Sequence, residues 1–514
     1  MNILIVLSLI YTINYTEAAK ILGYFPTPSI SHQIVFRPLM HELAKRGHEV
    51  YVITTNPAFT KEQSLGNLTE IDVQDISYTK WTDAILSADV TTGKKDDVSQ
   101  QIITMYRICL GLFDEQINAA AVQNVLNDKT LKFDLIFLES YFSPGLVLSH
   151  YYKAPLILIS SMLPIYNNMG VIGSPVHPML YPMGFCRQKI NNLTIWEKIS
   201  ELYMYYGIVS TIYFGRETVN KLVRKNFGSH VPSLDELENN VDMLFINVHP
   251  IWDMNRPVPP STIYLGGLHR NPVKELPKDL QFYLDASKHG VIYISFGTNI
   301  NPSMLPPEKM QMLINVLSNM PYDVLWKWDT DELPNRPKNI KTFKWLPQSD
   351  LLRHPKVLLF VTQGGLQSTD ESITAGVPLL GLPMLGDQWY NVEQYERLKI
   401  GLGLQMEELS EEKFKNAIIT LINDKSYRHN IAKLRSLMSD RPESSLERAV
   451  WWTEHVLRHG GARHLRSPAA NMSWTEYLEL ELVAYILSFI MAFIILTIYI
   501  IKYTVKLILP PLYK

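Results

Sequence analysis

The sequence predicts an α/β protein: two halves, each built on a parallel sheet, followed by one apolar membrane-length helix near the C-terminus. Three observations carry this. Short apolar strands alternate with helix-spaced segments in two successive series. A proline-rich stretch, RPVPPSTIYLGGLHRNPVKELP, separates the series. Leu482–Ile501 is an uncharged apolar run of about 20 residues, long enough to span a bilayer.

In the first series, Ile21–Phe25 reads as a strand, and Gln33–Arg46 as a helix with Val35, Leu39 and Leu43 on one face. Gly47 stops that helix, and Glu49–Thr54 follows as the next strand. Asp134–Leu138, Leu156–Ile159 and Met243–Val248 are further buried-strand candidates. Between them, Asn191–Phe227 is aromatic-rich and helical in pattern, suited either to a core or to lining a pocket. The second series opens with strand Val291–Phe296, closing on Gly297-Thr298, and a helix through Lys309–Leu317. Strands Asp323–Lys327, Ile340–Lys344, Val357–Thr362 and Leu379–Leu382 come next, with a short helix from Gln363 to about Ala375. Helices Glu411–Ile422, Ser426–Met438 and Ser444–His459 complete the body. Ligands of such sheets bind beyond the strands' carboxyl ends, here the cleft between the halves.

Composition narrows the function. Across 514 residues the net charge is −2, and no basic face marks a nucleic-acid partner. Two cysteines, Cys109 and Cys186, supply no metal cluster and at most one bridge, whose formation the sequence leaves open. Residues 1–19 hold the apolar run ILIVLSLIY before Ala18 and Ala19, a signal-peptide layout with a buried first strand as the alternative. Glu476, Glu479 and Glu481 precede the terminal span, and Lys502, Lys506 and Lys514 follow it. The positive-inside rule then puts the tail in the cytosol and the body across the membrane. The sequons at Asn67, Asn192 and Asn471 all fall on the body side.

The richest segment is WLPQSDLLRHPKVLLFVTQGGLQSTDESITAGVPLLGLPMLGDQ, from Trp345 to Gln388. A strand runs into a glycine pair and then a helix, which aims free N–H groups and a positive helix end at an anion. An indole, amides and carboxylates flank it, and together these groups suit a nucleotide-sugar. The segment closely resembles the signature of the UDP-glycosyltransferases that include vertebrate UDP-glucuronosyltransferases and insect UDP-glucosyltransferases. The resemblance covers nearly the whole chain, from SISHQIVFRPL through the linker and signature to WWTEHVLRHGGARHLR and the terminal span. Gln363, before the glycine pair, and Glu139 are most similar to arthropod members.

That resemblance implies two facing Rossmann-like domains (the GT-B architecture), inversion at the anomeric carbon, and no metal or other cofactor, the UDP-sugar being the donor substrate. Trp345 would stack on uracil, Gln348 would bond the base edge or ribose, and Glu371 would bridge the ribose hydroxyls. Gln363, Ser368 and the backbone of Gly364, Gly365 and Gln367 would cradle the diphosphate, faced by Gly297 and Thr298. Many members carry histidine at the position of Gln363, whose amide cannot become cationic. Asp387 and Gln388 would grip sugar hydroxyls. His32 would be the general base, and Glu139, where the family has aspartate, its orienting anion.

The implied activity moves a hexose, with UDP-glucose favoured and UDP-glucuronate the alternative, to hydroxyls of small lipophilic acceptors, as in detoxification. Two other readings are a catalytically silent lumenal partner subunit and a glycolipid glycosyltransferase. The expected organisation is a signal segment (1–19), a first domain (20–253), a linker (254–283) and a second domain (284–440). A juxtamembrane segment (441–481), a span (482–501) and a tail (502–514) complete it. The expected location is the endoplasmic reticulum membrane, single-pass type I with the body lumenal; homo- or hetero-oligomerisation stays open.

Overall fold

A computed structural model describes residues 18–508, apart from 60–64, 88–92, 96–97, 165, 186–188, 299–301, 303–304, 331–332 and 334–335. Nearly all of the expected signal segment, the pairing of Cys109 with Cys186, and the end of the tail lie outside the described residues.

The chain builds two all-parallel sheets. The first contains β1 (Lys20–Phe25), β2 (Glu49–Thr54), β3 (Leu68–Asp72), β4 (Leu135–Glu139), β5 (Leu156–Ser160), β6 (Val241–Ile246) and β7 (Thr262–Tyr264). Its spatial order is β3-β2-β1-β4-β5-β6-β7. The second contains β8 (Val291–Ser295), β9 (Asp323–Lys327), β10 (Ile340–Phe343), β11 (Val357–Thr362), β12 (Leu379–Gly381) and β13 (Gly401–Gly403), ordered β10-β9-β8-β11-β12-β13. Strands β4, β5, β6 and β8 are buried throughout, as expected when helices cover both faces of a parallel sheet. Each sheet reverses its strand order once, between β1 and β4 and between β8 and β11. These crevices are where doubly wound sheets bind ligands.

Six helices matter to the site and its setting: α1 (Ile30–Lys45), α2 (Ile195–Phe227), α3 (Leu366–Ala375), α4 (Gln388–Arg397), α5 (Ser445–His459) and α6 (Leu480–Ile508). Val35, Leu39 and Leu43 of α1 are buried, as their spacing implied. Helix α2 starts at a capping box between Thr194 and Glu197. Helix α3 starts at Leu366 rather than Gln363, because Gly364 takes φ +91° and breaks the helical run.

The structure adds detail to three of the expected segments. The proline-rich stretch from 254 contributes β7, hydrogen-bonded parallel to β6, so part of it belongs to the first sheet. Its prolines sit around this three-residue edge strand, where a missing N–H is tolerated. Downstream, α5 packs back on the first lobe, with Ala449, Val450 and Val456 in one cluster with Val35, Phe36 and Leu39. The terminal apolar helix is longer than 482–501 and continues past Lys502 and Lys506.

Candidate active site

His32 sits in the first turn of α1, immediately beyond β1, and Glu139 is the last residue of β4. The order reversal makes those two strands neighbours, so residues 107 positions apart meet: His32 Nδ1 lies 2.6 Å from Glu139 Oε1. An ionised carboxylate only accepts, so Nδ1 carries the proton and Nε2 keeps its lone pair. The other oxygen, Oε2, accepts from the Thr27 amide at 3.2 Å and the Thr27 hydroxyl at 2.7 Å. Glu139 is fully buried, and its carboxylate is held from both ends. The Ser161 hydroxyl lies 3.1 Å from Nδ1, and the Tyr141 ring packs beside the imidazole. Among the described residues, none bonds Nε2.

The second sheet presents its own crevice residues. Gly297 follows β8 at φ +76°, a left-handed conformation. A Cβ there would fall 2.3 Å from Gln363 Nε2, so a side chain at this position would displace the Gln363 amide. Thr298 follows in the same turn. At Gly364 a side chain would meet Val392 at 2.8 Å and the Gln388 carbonyl at 3.1 Å. Gly365 occupies the N-cap of α3 with no side chain to satisfy the helix's first N–H groups, which therefore remain free for an anion. The amide oxygen of Gln363 is buried and lacks a partner, an orphan that a bound polar group would satisfy.

Around this cradle, Trp345 is 63% exposed, its ring available on one side while Lys327 Nζ stands 4.9 Å from the centroid on another. Glu371 is held at 2.7 Å by Gln348 Nε2, and burial pushes its carboxyl up to about 7 against that hydrogen bond. Gln348 differs from expectation: its Nε2 also donates to Ser368 Oγ at 2.9 Å, and its Oε1 accepts from Tyr293 at 2.9 Å. That side chain is committed to orienting Glu371 and Ser368 and has no free N–H for a base or ribose. Gln388 is similarly half-committed. Its Oε1 accepts from the amides of Met384 and Leu385, each at 2.9 Å, leaving its amide N–H groups for a ligand.

Asp387 opens α4 and faces the first lobe's imidazole. Desolvation raises its carboxyl to about 6, opposed by the hydrogen bond from Asn391 and by the field of His32. The lobes touch directly here: Gln367 Nε2 donates to the Ser161 carbonyl at 3.0 Å. Gln367 therefore spans the cleft with its side chain, beyond the backbone part expected of it. Arg270 also forks onto Asp370 at 2.7 and 2.9 Å.

Sequence reasoning passed over two residues. Asn391 is buried; its Nδ2 donates to Asp387 Oδ2 and to the Gly364 carbonyl, each at 2.9 Å, while its Oδ1 accepts from Trp252 Nε1 at 2.9 Å. The i,i+4 spacing from Asp387 on a helix was the available signal. Lys327 ends β9 and donates to the Gly297 carbonyl at 2.5 Å. Its position at a strand's carboxyl end was the clue. A carboxylate that orients an imidazole thus confronts, across the cleft, an N–H cradle and a second carboxylate. Such an arrangement can remove a proton on one side and stabilise a departing anion on the other.

Comparison with known proteins identifies the family. Residues 20–510 match the family described as UDP-glucoronosyl and UDP-glucosyl transferase. The ecdysteroid UDP-glucosyltransferase of Lymantria dispar multicapsid nuclear polyhedrosis virus is 36% identical over 482 residues, covering 92% of this chain and 94% of that protein. The UDP-glycosyltransferase UGT5 of Dactylopius coccus is 32% identical over 489 residues, covering 94% and 91%. Among solved structures, a UDP-glucose: anthocyanidin 3-O-glucosyltransferase in complex with UDP superposes with a TM-score of 0.58 at 15% identity, covering 85% of this chain and 99% of that one. The glycosyltransferase VinC in complex with DTDP gives 0.57 at 16%, covering 86% and 100%. These likenesses establish the GT-B fold, and the chain belongs to the UDP-glucuronosyl and UDP-glucosyl transferase family of enzymes.

Proposed function

We propose that this glycosyltransferase moves glucose from UDP-glucose to a hydroxyl of a small lipophilic acceptor in a single displacement that inverts the anomeric carbon. The observation that carries the reading is the 2.6 Å pair of His32 and Glu139 facing Asp387 and the glycine turn. Nε2 of His32 takes the proton of the acceptor hydroxyl as its oxygen bonds to C1 of the sugar. Glu139 accepts from Nδ1 and stabilises the imidazolium that forms. The bond from C1 to the diphosphate oxygen breaks, and UDP departs toward the free N–H groups at the start of α3. Charge developing on the leaving diphosphate is met there by preorganised donors.

On the donor side, uracil stacks on Trp345, and the ribose hydroxyls donate to Glu371. Asp387 and the amide of Gln388 take the sugar hydroxyls, and rotation of the Gln363 amide offers its N–H groups to the diphosphate. Glucose is favoured over glucuronate because a glucuronate carboxylate calls for a cation beside it, and the sugar-binding groups named here, Asp387 and the amide of Gln388, supply none. The two relatives described above include a virus's UDP-glucosyltransferase, which supports the same donor. Helix α6, with Lys502 and Lys506 near its end, anchors the enzyme in the endoplasmic reticulum membrane with the body lumenal. A competition assay with UDP-glucose, UDP-glucuronate and UDP-galactose on a simple phenol tests the donor. Glucoside should dominate; glucuronide as main product would overturn the donor assignment.

A further inference from the structure

Helix α2 carries 33 residues, about 50 Å of helix, and only one of its faces is spent on the fold. Glu201, Tyr205, Ile208, Ile212, Val219 and Val223 face inward, with Ile208 and Ile212 packed on Met183. The opposite face is apolar and bare. Trp196, Ile199, Tyr203, Tyr206, Tyr213 and Phe214 are all exposed, Trp196 at 76%, Tyr203 at 84% and Phe214 at 78%. At 100° per residue they lie within an arc of about 100°, a continuous stripe rather than scattered surface hydrophobics.

Its location supplies the second observation. Tyr213 and Arg216 line one cleft of about 550 Å³ together with Asn471, Met472 and Glu476. Those residues belong to the stem that leads into α6 at Leu480. The stem is pinned to the first lobe: Arg466 donates to the carbonyls of Asn239 and Val171 at 2.7 and 2.8 Å, and Asn471 Nδ2 to Asn239 Oδ1 at 2.7 Å. Trp474 and Tyr477, in the helical turn just before the span, are exposed as well. The bare stripe is therefore held beside the point where the chain enters the apolar helix.

We infer that the exposed face of α2 docks on the bilayer at headgroup level, a second membrane contact beside α6. Tyr and Trp, with an apolar ring and a polar tip, suit that depth, and a stripe of this size gains by leaving water. The inference rests on the membrane-anchored reading above and goes beyond it, since a single span by itself does not set how the body sits on the bilayer.

The test uses the full chain in phosphatidylcholine proteoliposomes. A bimane label is placed on Tyr203→Cys, or as control on Phe282→Cys in the second lobe, both with Cys186→Ser. Burial pushes the Cys109 thiol up to about 12, so it labels poorly. Transfer to a phenol in detergent certifies each labelled chain as folded. With lipids brominated near the headgroup, the expected result is at least about twofold quenching at 203 and none at 282, in liposomes that float with the protein. Flotation without quenching at 203 overturns the docking face and leaves the anchor standing. Failure to float overturns the anchor and the docking together. Cross-linking of position 203 between two copies, without quenching by lipid, assigns the face to a second molecule instead.

Discussion

His32, part-buried, lies 2.6 Å from the buried Glu139 at the reversal point of the first sheet, and Thr27 fixes the far oxygen of the carboxylate. In the proposed mechanism that contact chooses the tautomer. Glu139→Gln keeps the shape but can present an N–H to Nδ1, which flips the proton to Nε2. We expect kcat to fall by about 10²–10⁴-fold with the donor KM near its original value. Glu139→Asp, shorter by one methylene, should retain more activity than Glu139→Gln. Equal turnover of Glu139→Gln and the unaltered enzyme would exclude the orienting role.

Trp345 stands open to solvent at the mouth of the donor site. Trp345→Ala should raise the KM for UDP-glucose by about 10-fold or more, in line with the loss of one base stack, with a smaller effect on kcat. A selective loss of kcat in steady-state assays would place the ring elsewhere in the reaction.

Asp387 gives a pH signature. Its folded-state pKa, about 6, lies above the ordinary value of 3.8, so its proton favours the folded, empty enzyme. That contribution is complete below about 3.8 and is lost as pH rises through about 6. Asp387→Asn removes the buried charge. Its melting temperature should exceed that of the original enzyme at pH 8 and converge with it near pH 4, while transfer falls. Calorimetric scans across that range that showed no divergence would count against burial as the cause.

Asn391 holds Asp387 and the Gly364 carbonyl while it accepts from Trp252. It acts as a positioning residue through these partners. Asn391→Ala should lower kcat by about 10-fold or more with a modest change in UDP affinity. Asn391→Asp should also push the acid limb of the pH–rate profile upward, because a second carboxylate beside Asp387 raises its pKa. An unmoved acid limb would indicate that Asn391 only supports the fold.

Much of this was legible in the residues, for physical reasons that differ by element. The strands of the sheet centres read as apolar runs because both of their faces are covered. Edge strands did not: β3 is LTEID, with exposed polar positions, and β7 and β13 have three residues each. The long amphipathic helices Gln74–Ser87 and Val98–Ile117 carry polar interruptions that blur their period. In the site, the glycine turn and the His32 and Asp387 motifs are local patterns. The commitments of Gln348 and Gln388, and the links from Asn391 to Trp252 and from Gln367 to Ser161, depend on which lobes meet. No spacing along one chain encodes those contacts.

The most direct measurement of the central claim is transfer by His32→Ala, assayed alongside UDP binding by titration calorimetry. The account predicts turnover down by about 10³-fold or more, with UDP affinity within about twofold of the original. Normal turnover in that variant would contradict it.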